Sequence, residues 1–380
     1  MAVDSTHPEY DMMQSEWRLV KACSSGQREV KALKTQILPA PGEKGGKYNQ
    51  DRYKAYLNRA IYTNVTGRTK QGLTGAAFRL PQEIDLPAGL EYLEENADGS
   101  GQSIEQQSKD VFAELLESGR ESLLVDYPEM PEGLTQEQIN LIEPKATIKR
   151  YSALDFVNWK TTVVGGNVVL TLAVLCEQAD ISEDEFDHNL KKQYRVLRLT
   201  NDGYSQQVYM DGKPIDEERF PRMANGSNFD FIPLFVVGSQ NNDLSVDEIP
   251  LADIAHVNVG HFRNSADLEE NCFVHGQLTL GVSSTMSLSQ FQEANPNGIT
   301  VGSMAGHFLG DSGGFSVVQA SENQLADKLM ARKEEQMRKL GARMIEIGAA
   351  KTATQSLIEQ AGETSILTTI ADNVSEGIKA

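Results

Sequence analysis

Apolar residues recur along this chain at two different spacings, and the change between them falls near Lys145. Before it the spacing is helical. Tyr10, Met13, Trp17 and Val20 share one face, and Gly26 ends the run. A loop rich in proline and glycine follows from Pro39 to Gly46, and then a helix is expected over Tyr48–Val65, with Tyr53, Leu57, Ala60 and Ile61 on its apolar side. Ser103 and Gln106 have the spacing of a capping box before a helix that carries Val111, Phe112, Leu115 and Leu116 up to Gly119. A short strand, Ser122–Tyr127, is closed by Pro128.

After Lys145 the pattern is extended. Phe156–Val164 and Val168–Cys176 flank Gly165-Gly166-Asn167, a hairpin signal, and Gln193–Thr200 and Tyr204–Met210 flank Asn201-Asp202-Gly203, a second one. Phe231–Val237 adds a strand. Residues 1–245 are therefore expected to form one mixed α/β domain around an antiparallel sheet.

The last third returns to helix with an interruption. Pro250 opens a helix to about His275, with Leu251, Ile254, Ala255, Phe262 and Ala266 inward and Asp253, Arg263, Asp267, Glu269 and Glu270 outward. Residues 276–320 read as extended, rich in Gly, Ser and Thr, and contain no Lys or Arg. Ser321 and Gln324 make another capping box, before a helix with Leu325, Leu329, Leu340, Met344 and Ile347 on one side. Gly348-Ala349-Ala350 breaks it, and a third helix, carrying Leu357, Ala361, Leu367, Ile370 and Val374, runs to the end. A β insert between two helices that must lie side by side suits a projecting module better than a compact enzyme core.

Composition narrows the function classes. The 380 residues allow two or three domains, and the net charge of −19 argues against a protein that reads DNA sequence through a basic face. An acidic surface also suits a protein that lets DNA pass without gripping it, because it forgoes the gain from counterion release. No apolar run approaches the ~20 residues of a membrane helix, and the N-terminus has no signal-peptide pattern, so no membrane association is expected. Cys23, Cys176 and Cys272 are far apart and form no CxxC or zinc spacing; reduced, mostly buried thiols are expected.

Motifs for chemistry are largely missing. The chain has no GxxxxGK[ST], GxGxxG after a strand or HExxH. Gly310-Asp311-Ser312-Gly313-Gly314, with His307 nearby, has the look of a serine-protease nucleophile region, but the required His and Asp motifs are missing upstream, and a β-turn is expected. His256 and His261 are five apart, so they face different sides of a helix. Asp98-Gly99-Ser100-Gly101 lacks the rest of an EF-hand and reads as the loop before Ser103. Asp126 reads as a turn cap. No catalytic residue, metal or cofactor is assigned. One cluster stands out: Lys328, Arg332, Lys339 and Arg343 fall along one stripe of the helix after Ser321, either as a solvated face or as a phosphate- or subunit-facing one.

Several strings, in order, resemble a family of phage-encoded proteins first catalogued as of unknown function and now read as portal proteins of tailed bacteriophages. They are His7-Pro8-Glu9-Tyr10 with Trp17 and Gly26; Tyr53–Arg59; Gly72–Arg79; Ser118–Pro128; Pro250–Ala255; His261–Asp267; Leu340–Arg343; and Lys351–Thr354. No one string is specific; their order over nearly the whole chain is.

The resemblance implies an α+β subunit of a homo-oligomeric ring, a dodecamer, at one capsid vertex of the virion. It implies a wing over 1–249, a first stem helix over 250–275, a clip over 276–320, a second stem helix over 321–342, a tunnel loop over 343–353 and a long wing helix over 354–380. Such proteins usually continue past the long helix into further wing strands and a helical crown; here a crown is either absent or lies outside these 380 residues. Double-stranded DNA would pass through without sequence-specific contact, and the terminase large subunit, a head–tail adaptor and the major capsid protein would be partners. On that layout Lys328, Arg332, Lys339 and Arg343 are candidates to face DNA. Glu346, Gly348, Ala349, Ala350, Lys351 and Thr352 are tunnel-loop candidates, and Gln290, Phe291, Glu293, Asn295, Asn297 and Asp311 are clip candidates for partner contact. The alternatives are a hydrolase acting through the acidic surface and a different ring-forming virion adaptor.

Overall fold

The computed structural model describes residues 2–40, 47–80, 82–128, 135, 144–223, 225–275, 279–299, 307–318, 325–345 and 353–380. It divides into two compact units. The first is formed by residues 1–33, 63–259 and 335–380, and the second by residues 34–62 and 260–334.

In the first unit, helix α1 (Pro8–Ser25) begins where the His7 ring accepts a hydrogen bond from the Glu9 amide and ends at Gly26, whose φ of 105° few other residues adopt; the short α2 (Gln27–Ala32) follows. Buried Trp17 donates from Nε1 to the Ser118 carbonyl, 2.8 Å away. That bond ties α1 to the end of α5 (Ile104–Ser118), which opens on the Ser103 cap and stops at Gly119 in the left-handed region. A side chain at Gly119 would also meet the Glu248 carbonyl at 2.8 Å, so conformation and space both require glycine. Val111, Phe112, Leu115 and Leu116 are all fully buried; at ~1.5–3 kcal/mol for each such side chain, this stripe contributes much of the unit's cohesion.

The expected single helix over Tyr48–Val65 is instead two, one in each unit. Helix α3 (Lys47–Arg59) stops before Ala60, and α4 (Val65–Ala77) starts on an Asn64 cap that accepts from Gly67 N at 2.8 Å. Ile61, expected on the apolar side, is half exposed. The cap explains the break: an Asn side chain that holds the free amides of a new helix competes with continuing the old one. Packing in α4 is close, since a methyl group on Gly67 would lie 2.2 Å from the Ser24 carbonyl.

The expected single sheet is also two. Strand β1 (Arg120–Asp126) lies between β2 (Thr147–Ser152) and β8 (Leu234–Gly238), antiparallel to both. The second sheet is an antiparallel meander of β3 (Phe156–Val164), β4 (Asn167–Asp180), β5 (Leu190–Thr200), β6 (Gly203–Met210) and β7 (Lys213–Pro214). Its β3–β4 and β5–β6 turns fall where the hairpin signals predicted them; Gly165 and Gly166 both have positive φ, as a tight hairpin turn requires. The protein is thus mixed α/β with several sheets.

Asp126 is more than a turn residue: its Oδ1 accepts from Tyr127 N at 3.1 Å. Its carboxylate lies 2.8 Å from Lys149 Nζ and 4.0 Å from Arg195, which fixes the end of β1 to the neighbouring strands. Also unexpected is a buried polar run, Glu117 to Ser122. The Arg120 guanidinium lies 4.2 Å from the Trp159 ring centroid and 4.7 Å from that of Phe156, and burial lowers its pKa to about 10. Glu121 pairs with Arg150 at 2.7 Å, yet burial outweighs that partner and pushes its carboxyl up to about 8.

Helix α6 (Ala252–His275) follows. Of the residues expected inward, Leu251, Ile254, Ala255, Phe262 and Ala266 are all buried. Its first part belongs to the first unit, where Asn258 Oδ1 accepts from the amides of Val65 and Thr66. Helix α9 (Ala353–Lys379) closes that unit: Ile370 and Val374 are buried, and Asn373 Nδ2 donates to the Gly238 carbonyl at 2.9 Å.

The second unit is built on α3 and the rest of α6. Tyr56 donates to Asp267 at 2.6 Å, Arg59 pairs with Glu270, and Arg263 Nε donates to the Ile37 carbonyl at 2.6 Å. The interval 276–320 is not wholly extended. Between β9 (Thr279–Ser283) and β10 (Gly314–Val318), which pair antiparallel, lies a short helix α7 (Leu288–Ala294). Its Ser287–Gln290 capping box is legible in the sequence but hidden by the Gly/Ser composition around it.

Candidate functional site

The basic candidates sit on α8 (Leu325–Ile345). Lys328, Arg332 and Lys339 are exposed, and Lys339 lies 3.7 Å from Glu335, which also takes an ion pair from Arg338 at 2.7 Å. Arg343 belongs to the same helix, but its side chain lies outside the described residues, as do the tunnel-loop candidates Glu346, Gly348, Ala349, Ala350, Lys351 and Thr352 and the Ser321–Gln324 cap. At about 100° per residue, Lys328, Arg332 and Lys339 fall within roughly 40° of one another around the axis.

The buried line of α8 is not the leucine row. Ala326 and Met337 are buried, whereas Leu325 is 61 % exposed and Leu329 and Leu340 are only half buried. The reason is a polar clamp that rotates the helix toward α6. Lys333 Nζ donates to the Gly260 carbonyl at 2.9 Å and to Asn264 Oδ1, and His261 Nε2 lies 3.1 Å from Glu334. Burial, with help from Arg263, holds the Lys333 ammonium below its usual pKa. Lys333 follows Leu329 by four residues and so borders the leucine row, about 40° around the axis from Leu329, but a lysine at the edge of an apolar row reads as solvated. Its signal is only the small residue opposite it: a side chain at Gly260 would come within 3.2 Å of the lysine stem.

In the β9–α7–β10 module, Gln290, Glu293 and Asp311 come together with Thr285 and Phe308 on the wall of a shallow cavity of about 490 Å³. Gln290 also caps α7, where Ser287 N donates to its Oε1 at 3.1 Å. Asn295 is buried, and its Nδ2 donates to the Phe291 and Phe308 carbonyls at 3.2 and 3.0 Å. Phe291 is half buried, and Asn297 is exposed away from that cavity. The Gly310–Gly314 string forms the expected turn, with Gly313 N donating to the Gly310 carbonyl at 3.3 Å.

His256 and His261 reach different partners, Glu16 at 2.6 Å and Glu334 at 3.1 Å. The thiols depart from expectation: Cys23 is buried, Cys176 half buried and Cys272 exposed. Among the described residues, no group of three or more His, Cys, Asp or Glu is placed to hold a metal ion, and no helix is long and apolar enough to cross a membrane.

A family model described as a domain of unknown function (DUF4055) matches residues 250–380, which take in α6, the module, α8 and α9. No curated protein matches the chain in sequence. Two solved structures align over much of it. One, the neck of an empty gene transfer agent particle computed with C6 symmetry, is 12 % identical at a TM-score of 0.42, over 82 % of this chain and 76 % of that one. The other, the virion of a native gene transfer agent particle, is 12 % identical at a TM-score of 0.41, over 86 % of this chain and 81 % of that one. Likeness at this level carries no statement about what this chain does.

Proposed function

We propose that this chain is a portal subunit: a non-enzymatic structural protein of a phage or phage-like virion, assembled as a ring at one capsid vertex, through which double-stranded DNA is packaged and released. The observation that carries the reading is the α6–module–α8 layout. Two helices clamped side by side by Lys333 and His261 bracket a small module whose strands pair with each other. The ordered strings from His7 to Thr354 support it independently.

In this reading α6 and α8 form the stem, the module is the clip that meets the terminase large subunit and the head–tail adaptor, and the wing meets the major capsid protein. Glu293 and Asp311, exposed on the module's cavity, are its partner-facing carboxylates. The chain has no phosphate-binding loop, so a separate ATPase drives the DNA. A ring multiplies each residue's charge. DNA with one phosphate per ~1.7 Å would be trapped by a basic wall, so the −19 per subunit favours passage and the α8 row provides at most narrow collars. The half-exposed leucines of α8 are surface for a neighbouring copy.

Light scattering and negative-stain microscopy of the purified chain test this. Twelve copies of a 41.8 kDa chain give rings of about 500 kDa. A chain that stays monomeric at every concentration would overturn the proposal.

A further inference from the structure

The ring proposed above needs a head-to-tail contact, and two features of the five-stranded sheet are complementary. At one end, the β4–β5 loop presents Phe186, 84 % exposed, the most exposed large apolar side chain among the described residues. Glu183, Asp184, Glu185 and Asp187 surround it in sequence, all exposed. The loop is held in shape: Phe186 N donates to Asp184 Oδ1 at 2.8 Å, Ile181 N donates to the Asn189 carbonyl at 2.9 Å, and Asp180 Oδ1 accepts from Ser182 N and Asn189 N at 3.0 and 3.1 Å. A loop already ordered loses little entropy on docking.

At the other end, by the β5–β6 turn, lies a cavity of about 620 Å³ walled by Tyr127, Tyr204, Phe220, Phe229, Pro221 and Pro233, with Arg219 and Arg222 beside them. The carboxylate in its lining, Asp126, is already neutralised by Lys149 and Arg195, and Arg219 is shared with Asp216 at 3.2 Å. Leu190 follows the loop, whereas Tyr204 pairs with Leu199. Nine residue steps of strand therefore separate the two features, about 30 Å. Within one chain the loop cannot reach the cavity; in a second copy, placed head to tail, it can.

We infer that the Ile181–His188 loop of one subunit docks in the Tyr204–Phe220 cavity of the next, with Phe186 as the apolar anchor and its flanking carboxylates against Arg219 and Arg222. This inference rests on the ring reading. An aromatic knob in an aromatic pocket, rimmed by opposite charge, has the composition of a contact anchor. Because knob and pocket are different surfaces, the contact is heterologous: it propagates from copy to copy and closes into a ring when the rotation per subunit closes.

The test uses the full chain carrying Glu185→Cys and Arg222→Cys in a Cys272→Ser background, treated with a short bismaleimide crosslinker. A ladder of covalent multimers is expected, and the added change Phe186→Asp abolishes it. Rings in the microscope without a ladder overturn this contact and leave the ring reading standing. A ladder without closed rings keeps the contact and overturns the ring. A ladder that survives Phe186→Asp removes Phe186 as the anchor.

Discussion

Glu121 shows how far a single residue's environment can depart from its sequence signal. Read along the chain, Ser118-Gly119-Arg120-Glu121-Ser122 is a polar stretch between a helix and a strand, and polarity argues for exposure. Its burial follows from tertiary partners that lie far away in sequence: Arg150 for Glu121, the rings of Phe156 and Trp159 for Arg120, and Lys70, at 2.7 Å, for Glu117. No local pattern announces them. The pH dependence follows. The Glu121 carboxyl titrates near the ordinary 4.5 of a free glutamate when unfolded, and burial pushes it up to about 8 when folded. The folded state therefore holds the proton more tightly, so this contribution is complete below about pH 4.5 and is lost as pH rises through about 8. Glu121→Gln imitates the protonated acid and has no such loss. The melting temperature of the variant minus that of the natural chain should grow between pH 5 and pH 8. A difference that is flat with pH would show that Glu121 is ionised in the fold throughout.

Elements were legible where local chemistry and tertiary packing agree. The α1 stripe, the Ser103 cap, the stop at Gly119 and both hairpins fall where the pattern places them, because each rests on a few adjacent residues. Helix α4 was not legible: Val-Thr-Gly-Arg-Thr-Lys-Gln-Gly is a poor helix former, and the helix stands because Thr66, Leu73 and Thr74 are buried and Gly67 allows the approach to Ser24. Asn64→Ala removes both its cap to Gly67 and its bond to the Ser24 carbonyl, and should cost about 1–2 kcal/mol in chemical denaturation. Asn64→Asp keeps the acceptor for Gly67 N but cannot donate to the Ser24 carbonyl, so it should recover only part of that loss; an alanine variant of unchanged stability would exclude the cap as the reason α3 and α4 are separate. On α8 the basic row was legible from its spacing, but the burial of Lys333 was not, because Gly260 and Asn264 are about 70 residues away in sequence. Neutralising Arg332 and Lys339 to Gln touches exposed side chains, so folding and ring assembly should be unchanged while DNA packaging or retention falls. Normal packaging by that double variant would place the row away from the channel.

At the scale of the whole molecule, the sequence carried the order of elements better than their grouping. Residues 1–245 read as one domain on one sheet, but residues 34–62 belong to the second unit, and the strands divide between two sheets. The grouping depends on α6 and α8, each of which contributes to both units, and a helix shared in this way has no signature in its own periodicity. The acidic composition, the partly exposed leucines of α8 and the Phe186 loop are all features that a single copy leaves uncovered. They are accounted for together if copies pack side by side in a ring that DNA traverses. Cryo-electron microscopy of particles assembled with this chain tests that most directly. The account predicts the chain at one vertex only, as a closed ring of copies around a channel wide enough for duplex DNA, with the β9–α7–β10 module directed away from the capsid interior. Density for this chain at every vertex, or its absence from purified particles, would contradict it.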